Sequence, residues 1–197
     1  MTQRPTLLTR AALAGLIALA CIAASGCVPL VVGAAVGGTA LVATDRRSVG
    51  AQADDEAIEL KIQNNIGGTF GDRVHVNATS YNGIVLLTGE VPTAELKTQV
   101  EQIARTTPKV RRVDDELAVG AVTTIGARSN DSYITSKVKA RLVETNKVPA
   151  NLVKVVTERQ IVYLMGILSH AEADAAAQIA ATTSGVQRVV KVFEYTD

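Results

Sequence analysis

The sequence predicts an α+β fold made of two tandem units, each with the element order helix–strand–strand–helix–strand. Two observations predict it. The segment beginning at Asp55 aligns with the segment beginning at Asp131, an offset of 76 residues. Within each copy the apolar pattern changes in the same order between helical and strand periods. We therefore expect two helices on one face of a small mixed sheet in each unit. We also expect the two units to pack together, because a three-stranded sheet of about 65 residues is marginal alone.

The first helix of each unit is predicted by apolar residues spaced four positions apart. They are Ile58, Ile62 and Ile66 in the first copy, and Ile134, Val138 and Leu142 in the second. This spacing places each set on one helix face, which can be buried. We expect Asp54 or Asp55 to be the N-cap of the first copy's helix, and Asn130 or Asp131 that of the second.

Short apolar runs separated by turn residues predict the strands. We place first strands at 74–76 and 153–156, second strands at 84–89 and 161–166, and last strands at 110–113 and 186–189. The turns between first and second strands fall at Tyr81–Gly83 and Glu158–Gln160. Second helices are expected over 93–106 and 171–182.

The composition excludes several functional classes. With 197 residues, a net charge of +1 and no Trp, the chain lacks the basic excess and the aromatic platforms of nucleic-acid-binding proteins. The only cysteines are Cys21 and Cys27, and the only histidines, His75 and His170, are far apart in sequence. We therefore predict no nucleic-acid partner, no cofactor, no metal site and no catalytic residue, and hence no enzyme.

Two acidic runs, 54–56 and 114–116, could in principle chelate a divalent cation. We interpret them instead as charge at a helix N-terminus and a solvated strand end.

The N-terminus has the pattern of an export signal. Arg4 and Arg10 precede an uncharged apolar run over 11–24, which small residues follow. Ala24-Ser25-Gly26-Cys27 resembles the bacterial lipobox, and Cys21 fits that pattern less well. The resemblance implies cleavage after residue 26 and acylation of Cys27, and Val28 in the following position implies sorting to the outer membrane.

Residues 28–44 are apolar and rich in glycine, and their 17 positions are slightly short for a membrane-spanning helix. Two interpretations stay open, a flexible tether along the membrane or a short helix lying on lipid, and we favour the tether.

The element order, with Gly89 and Gly166 ending the second strands, resembles the BON domain over 54–119 and 128–195. A lipobox, an apolar tether and two such units together resemble the dual-BON outer-membrane lipoproteins. On this basis we divide the chain into a signal peptide (1–26), a lipidated Cys27 with its tether (27–53), a first BON unit (54–119), a linker (120–127) and a second BON unit (128–197).

The resemblance implies a non-enzymatic lipoprotein that faces the periplasm from the outer membrane. It further implies binding of anionic phospholipid in the inner leaflet of that membrane, support of envelope integrity, and enrichment at division sites. The alternative is an adaptor that holds an envelope protein partner and recognises lipid only through its acyl anchor.

Charge selects the second unit as the lipid-binding one. Residues 54–119 hold 7 basic and 11 acidic side chains, whereas residues 128–197 hold 9 and 7. An anionic bilayer attracts the second set and repels the first.

The same unit carries a candidate site on its first helix. Relative to the first copy, Tyr133 replaces Ala57 and Arg141 replaces Asn65, so Tyr133, Lys137 and Arg141 form a stripe beside the buried face. The predicted phospholipid-binding residues are Tyr133, Ser136, Lys137, Lys139 and Arg141. The alternative is an ordinary solvated helix face whose tyrosine covers the seam between units.

Overall fold

Each unit begins with a long helix that starts upstream of its predicted N-cap. The computed structural model describes residues 45–197, in which α1 spans Val49–Phe70 and α3 spans Ile125–Thr145. The N-caps are Ser48 and Thr124, whose side-chain oxygens accept hydrogen bonds from the backbone N–H groups of Ala51 and Ala127. The helices therefore begin inside the segments 27–53 and 120–127. The predicted signal peptide, Cys27 and residues 28–44 lie outside the described residues.

The N-cap predictions were wrong, because these aspartates lie within the helices. Asp55 and Asp131 are buried and point from the helix to the hairpin turn of their own unit. Asp131 accepts hydrogen bonds from the backbone N–H groups of Arg159 and Gln160, both at 2.9 Å. The carboxylate thus fixes a turn instead of a helix end.

The two hairpin turns have the left-handed backbone that such tight connections require. Both central residues have positive φ, 52° and 73° at Asn82 and Gly83 and 52° and 61° at Arg159 and Gln160. Both turns lie where the sequence predicts them.

The first unit folds into a mixed sheet with helices on one face, as predicted. Its sheet comprises β1 (His75–Tyr81), β2 (Ile84–Val91), β3 (Arg112–Asp115) and the short β4 (Ala118–Val119). Strand β2 pairs antiparallel with β1 and parallel with β3 and β4. Helix α2 (Ala94–Thr106) makes the crossover that a parallel pair needs.

The second unit repeats this topology with one uninterrupted last strand. Its elements are β5 (Lys154–Glu158), β6 (Ile161–Leu168), α4 (His170–Ala181) and β7 (Arg188–Tyr195). Strand β6 pairs antiparallel with β5 and parallel with β7. Single 3₁₀ turns, Gly71–Arg73 and Ala150–Leu152, precede β1 and β5. The predicted strand at 186–189 was therefore placed too early and ended too soon.

Three apolar cores hold the described residues together. Each unit has a core between its helices and its sheet, to which Val85 and Leu87 contribute in the first unit and Val162 and Leu164 in the second. The opposite faces of the two sheets meet in a third, central core of Tyr81, Ile84, Leu86, Tyr163, Met165 and Val192. The layers thus run helices, sheet, sheet, helices, and the predicted packing of the two units is confirmed.

The segment before α1 contacts both units. Arg46 donates to both carboxylate oxygens of Glu172, at 2.7 and 2.8 Å, and to the carbonyl of Ile167. These bonds, with that from the Ser169 backbone, lower the pKa of Glu172 to about 2. Arg47 donates to Asp55 and lies 3.9 Å from the ring centroid of Tyr81. A few residues therefore join the start of α1 to α4.

Candidate functional site

Helix α3 presents its predicted apolar stripe to the core, which leaves the opposite face exposed. Asp131, Ile134, Val138 and Leu142 are buried. Beside them, Tyr133 is 63% exposed, an unusual position for a large aromatic side chain. The Lys137 ammonium lies 4.7 Å from the centroid of the Tyr133 ring, within the range of a cation–π interaction. Two members of the predicted stripe, Tyr133 and Lys137, thus lie side by side at the surface.

Lys137 and Arg141 also hold the end of helix α4. The Lys137 ammonium donates to the carbonyl oxygen of Ser184. The Arg141 guanidinium donates to the carbonyl of Ile179 at 3.1 Å and to the Thr183 hydroxyl at 2.9 Å. The last carbonyls of a helix carry partial negative charge, so two cations there are stabilising. Both side chains therefore have a structural role that the sequence analysis did not predict.

Of the remaining two predicted residues, Ser136 lies one helical turn after Tyr133, whereas Lys139 lies apart from this stripe. The Ser136 hydroxyl donates to the backbone carbonyl of Ser132 at 3.0 Å, one turn back along the helix. Lys139 is exposed on another side of α3 and lines a groove of about 510 Å³ together with Arg47, Tyr81, Val143 and Lys154. The structure thus brings together Tyr133, Lys137 and Arg141, and separates Lys139 from them.

The cations that line this groove are largely engaged with carboxylates of the first unit. Lys154 donates to Glu59 at 2.7 Å, and Arg47 donates to Asp45 and Asp55. Val143 adds an apolar surface beside Lys139, since it is 66% exposed. Two patches on different sides of α3 therefore combine positive charge with exposed apolar surface.

A polar cluster lies between the sheets, away from α3's exposed face. His75 Nδ1 lies 3.0 Å from Glu90 Oε2, and Glu158 comes from the other unit. One potential ligand atom from each of these three side chains lies within 4.8 Å of the other two. Burial, and then the neighbouring Glu90, raise the pKa of Glu158. The sequence predicted no metal site, and no local motif joins these residues, which are 15 and 68 positions apart.

Comparison with known proteins identifies the family. The profile of the BON domain matches residues 54–121 and 130–197, which are the two units seen in the structure. The chain belongs to the BON-domain family.

Three BON relatives extend this result. The chain is 40% identical to "Outer membrane lipoprotein DolP" of Haemophilus influenzae over 87% of this chain and 90% of that one. It is 37% identical to "21 kDa hemolysin" of Actinobacillus pleuropneumoniae over 77% and 79%, respectively. It is 29% identical to "Osmotically-inducible protein Y" of Escherichia coli over 75% and 76%.

The extent of the first match identifies the chain as a DolP-like, dual-BON outer-membrane lipoprotein. None of these three BON relatives is named as an enzyme. Within residues 45–197, no helix has both the length and the apolar character that crossing a bilayer requires.

Proposed function

We propose that this BON protein is a non-enzymatic envelope lipoprotein, acylated at Cys27, that binds anionic phospholipid through helix α3 of its second unit. In this proposal residues 1–26 are a signal peptide, residues 27–53 carry the anchor, and the protein supports outer-membrane integrity at division sites. The observation that carries the lipid assignment is the exposed Tyr133 ring beside the Lys137 ammonium.

The chemistry of this pair fits a phospholipid headgroup layer. A tyrosine ring partitions to the interface with its hydroxyl in water, and cations beside it meet phosphate groups. Lys137 and Arg141 donate to uncharged groups, namely backbone carbonyls and the Thr183 hydroxyl, and Lys139 adds a cation on the same helix. Because the second unit has more basic than acidic side chains, an anionic surface attracts it.

The first unit provides a matched comparison. Lys61 occupies the position in α1 that Lys137 occupies in α3, and it is exposed. Its helix carries Ala57 in place of the exposed tyrosine. A charge reversal at Lys61 changes the total charge as much as one at Lys137, so it separates site-specific binding from general electrostatic attraction.

Vesicle flotation tests the proposal with the unacylated chain 28–197, which contains every core residue described above. We expect binding to vesicles that contain anionic phospholipid, loss in 1 M salt, and no binding to purely zwitterionic vesicles. Tyr133→Ala and Lys137→Glu should each weaken binding by about tenfold, whereas Lys61→Glu should change it much less. Equal losses in Lys61→Glu and Lys137→Glu would contradict a site on α3.

The second candidate is the protein adaptor. Exposed apolar side chains on the connection between the units favour it, namely Val119, Val122 and Ile125, which are 53%, 45% and 77% exposed. If the chain fails to float with any of the vesicle compositions, this result contradicts direct lipid recognition and favours the adaptor.

A further inference from the structure

We propose that His75, Glu90 and Glu158 form a binding site for one divalent transition-metal ion, with Zn²⁺ as the appropriate probe, at the seam between the two units. These three side chains come from β1, β2 and β5, so a bound ion would join both sheets. This inference is independent of lipid binding.

The decisive observation is an unpartnered carboxylate oxygen. The Glu90 side chain is 1% exposed, and its buried Oε1 has no hydrogen-bond partner among residues 45–197. Its other oxygen, Oε2, is already engaged with His75 and with the backbone N–H and hydroxyl of Thr123, at 3.2 and 3.3 Å. A buried anionic oxygen that lacks a partner is energetically costly, and a cation in the cluster would satisfy it.

Glu158 places a second carboxylate in the same cluster, and hydrogen bonding compensates its burial only weakly. It is 7% exposed, and Asn77 donates to its Oε2 over a long 3.3 Å. Two buried carboxylates repel each other unless a proton or a cation lies between them. One imidazole nitrogen beside two carboxylates is a donor set that suits Zn²⁺, since Ca²⁺ and Mg²⁺ prefer oxygen ligands alone.

The dimensions of the cluster agree with a single ion. The three potential ligand atoms lie within 4.8 Å of one another. Tetrahedral Zn²⁺ holds its ligand atoms roughly 3.3 Å apart. Side-chain rotations that bring these atoms closer by up to about 1.5 Å would therefore complete the site. A cavity of about 240 Å³ beside His75 and Glu158 has room for a water molecule as the fourth ligand.

The surroundings contain one opposing charge. Arg128 lines the same cavity and is half-buried, and Asp131 lines it as well but accepts hydrogen bonds from the β5–β6 turn. The guanidinium would repel an incoming cation, so removing its charge should favour metal binding. Glu90 also holds Thr123 of the connection between units, which places the ion where two sheets and their linker meet.

Zinc titration of the chain 28–197 tests the site, and this chain lacks both cysteines, which would otherwise bind zinc. By calorimetry we expect one Zn²⁺ per chain, and saturation at about 100 times Kd should raise Tm by roughly 5 °C or more relative to EDTA. Calcium should cause no comparable rise. His75→Gln and Glu158→Gln should each abolish the zinc-dependent rise, whereas His170→Gln, the matched control at the other histidine, should keep it.

Two variants keep the test decisive if one of these proteins folds poorly. Glu158→Gln removes a repulsion in the metal-free state, so it should be at least as stable as the native chain in EDTA. Arg128→Gln should bind Zn²⁺ more tightly than the native chain. The proposal is overturned if zinc fails to raise Tm, if calcium raises it equally, or if the rise survives in either Glu158→Gln or His75→Gln.

Discussion

At the residue scale, one aspartate in each unit joins a helix to a hairpin turn. Asp55 has the larger set of partners. Its Oδ1 accepts from the Ser80 hydroxyl and the Gly83 N–H at 2.7 and 2.8 Å, and its Oδ2 accepts from the Asn82 N–H and from Arg47. Asp131 makes only the two bonds to its turn described above. The same position of the repeat therefore contributes unequally to the two units.

Replacing Asp55 by alanine should destabilise the protein strongly. The substitution leaves two backbone N–H groups, a hydroxyl and a guanidinium without their acceptor, and we expect a loss of about 3–5 kcal/mol in the free energy of unfolding. Asp131→Ala removes fewer bonds and should cost about 1–3 kcal/mol. Urea unfolding at neutral pH measures both, and equal losses would show that the additional partners of Asp55 do not stabilise the fold.

The contribution of Asp55 should depend on pH. Burial alone would raise the pKa of this carboxyl, but hydrogen bonds from Ser80, Gly83, Asn82 and Arg47 outweigh burial and lower it. A lowered pKa in the folded state means that the stabilisation is fully present above the unfolded pKa of about 3.9 and is lost as pH falls through the folded value.

The measurement is urea unfolding of the native chain and Asp55→Asn at neutral pH and at steps below pH 4. The stability difference between them should be constant above pH 5 and should shrink at lower pH. If the stability difference grows on acidification, the pKa of Asp55 is raised in the folded state and not lowered.

At the scale of elements, Lys137 and Arg141 of helix α3 stabilise the end of α4, although the sequence predicted only that they bind lipid. The sequence predicts which face of α3 is buried, because the four-residue spacing is a local property. It could not predict that Lys137 and Arg141 reach Ser184 and Ile179, 47 and 38 positions away. Such contacts depend on how two helices lie side by side on a sheet, which local patterns do not encode.

Arg141→Ala should reduce stability, whereas Lys139→Ala should not. Arg141 is half-buried and binds the end of α4, so its loss should cost about 1–2 kcal/mol in the free energy of unfolding. Lys139 is exposed, and its truncation should stay within about 0.5 kcal/mol. Thermal unfolding of the two alanine variants checks this, and a larger loss in Lys139→Ala would contradict it.

The boundaries of elements were predicted less well than their order. The helices start at Val49 and Ile125, which are 71% and 77% exposed, so the first turn of each lacks the buried spacing on which the prediction relied. The last strands of both units were predicted as four-residue segments, 110–113 and 186–189. In the structure the first unit's edge is interrupted between β3 and β4, whereas β7 pairs with all eight residues of β6.

At the scale of the whole molecule, the central core makes the two units one cooperative structure. Leu86 is fully buried in it, and Leu86→Ala should cost about 2–5 kcal/mol in the free energy of unfolding. Because the core is shared, backbone amides of β5–β7 should lose hydrogen-exchange protection together with those of β1–β3. Lys139→Ala is the control, and a loss confined to the first unit would contradict shared stability.

The sequence was sufficient for the order of elements and their repetition, since both follow from local patterns and spacing, and its resemblance to the BON domain was sufficient for the family. It was insufficient for the polar cluster, because β1, β2 and β5 bring His75, Glu90 and Glu158 together only when the sheets pack. The two units do not simply duplicate one another at this seam. Each supplies different chemistry to it.

The two arginines ahead of α1 have a mechanical consequence. A pull on the chain at Asp45 is transmitted through Arg46 to Glu172 in the second unit and through Arg47 to Asp55 in the first. Force applied there would therefore load one ion pair in each unit before it reached the first turn of α1.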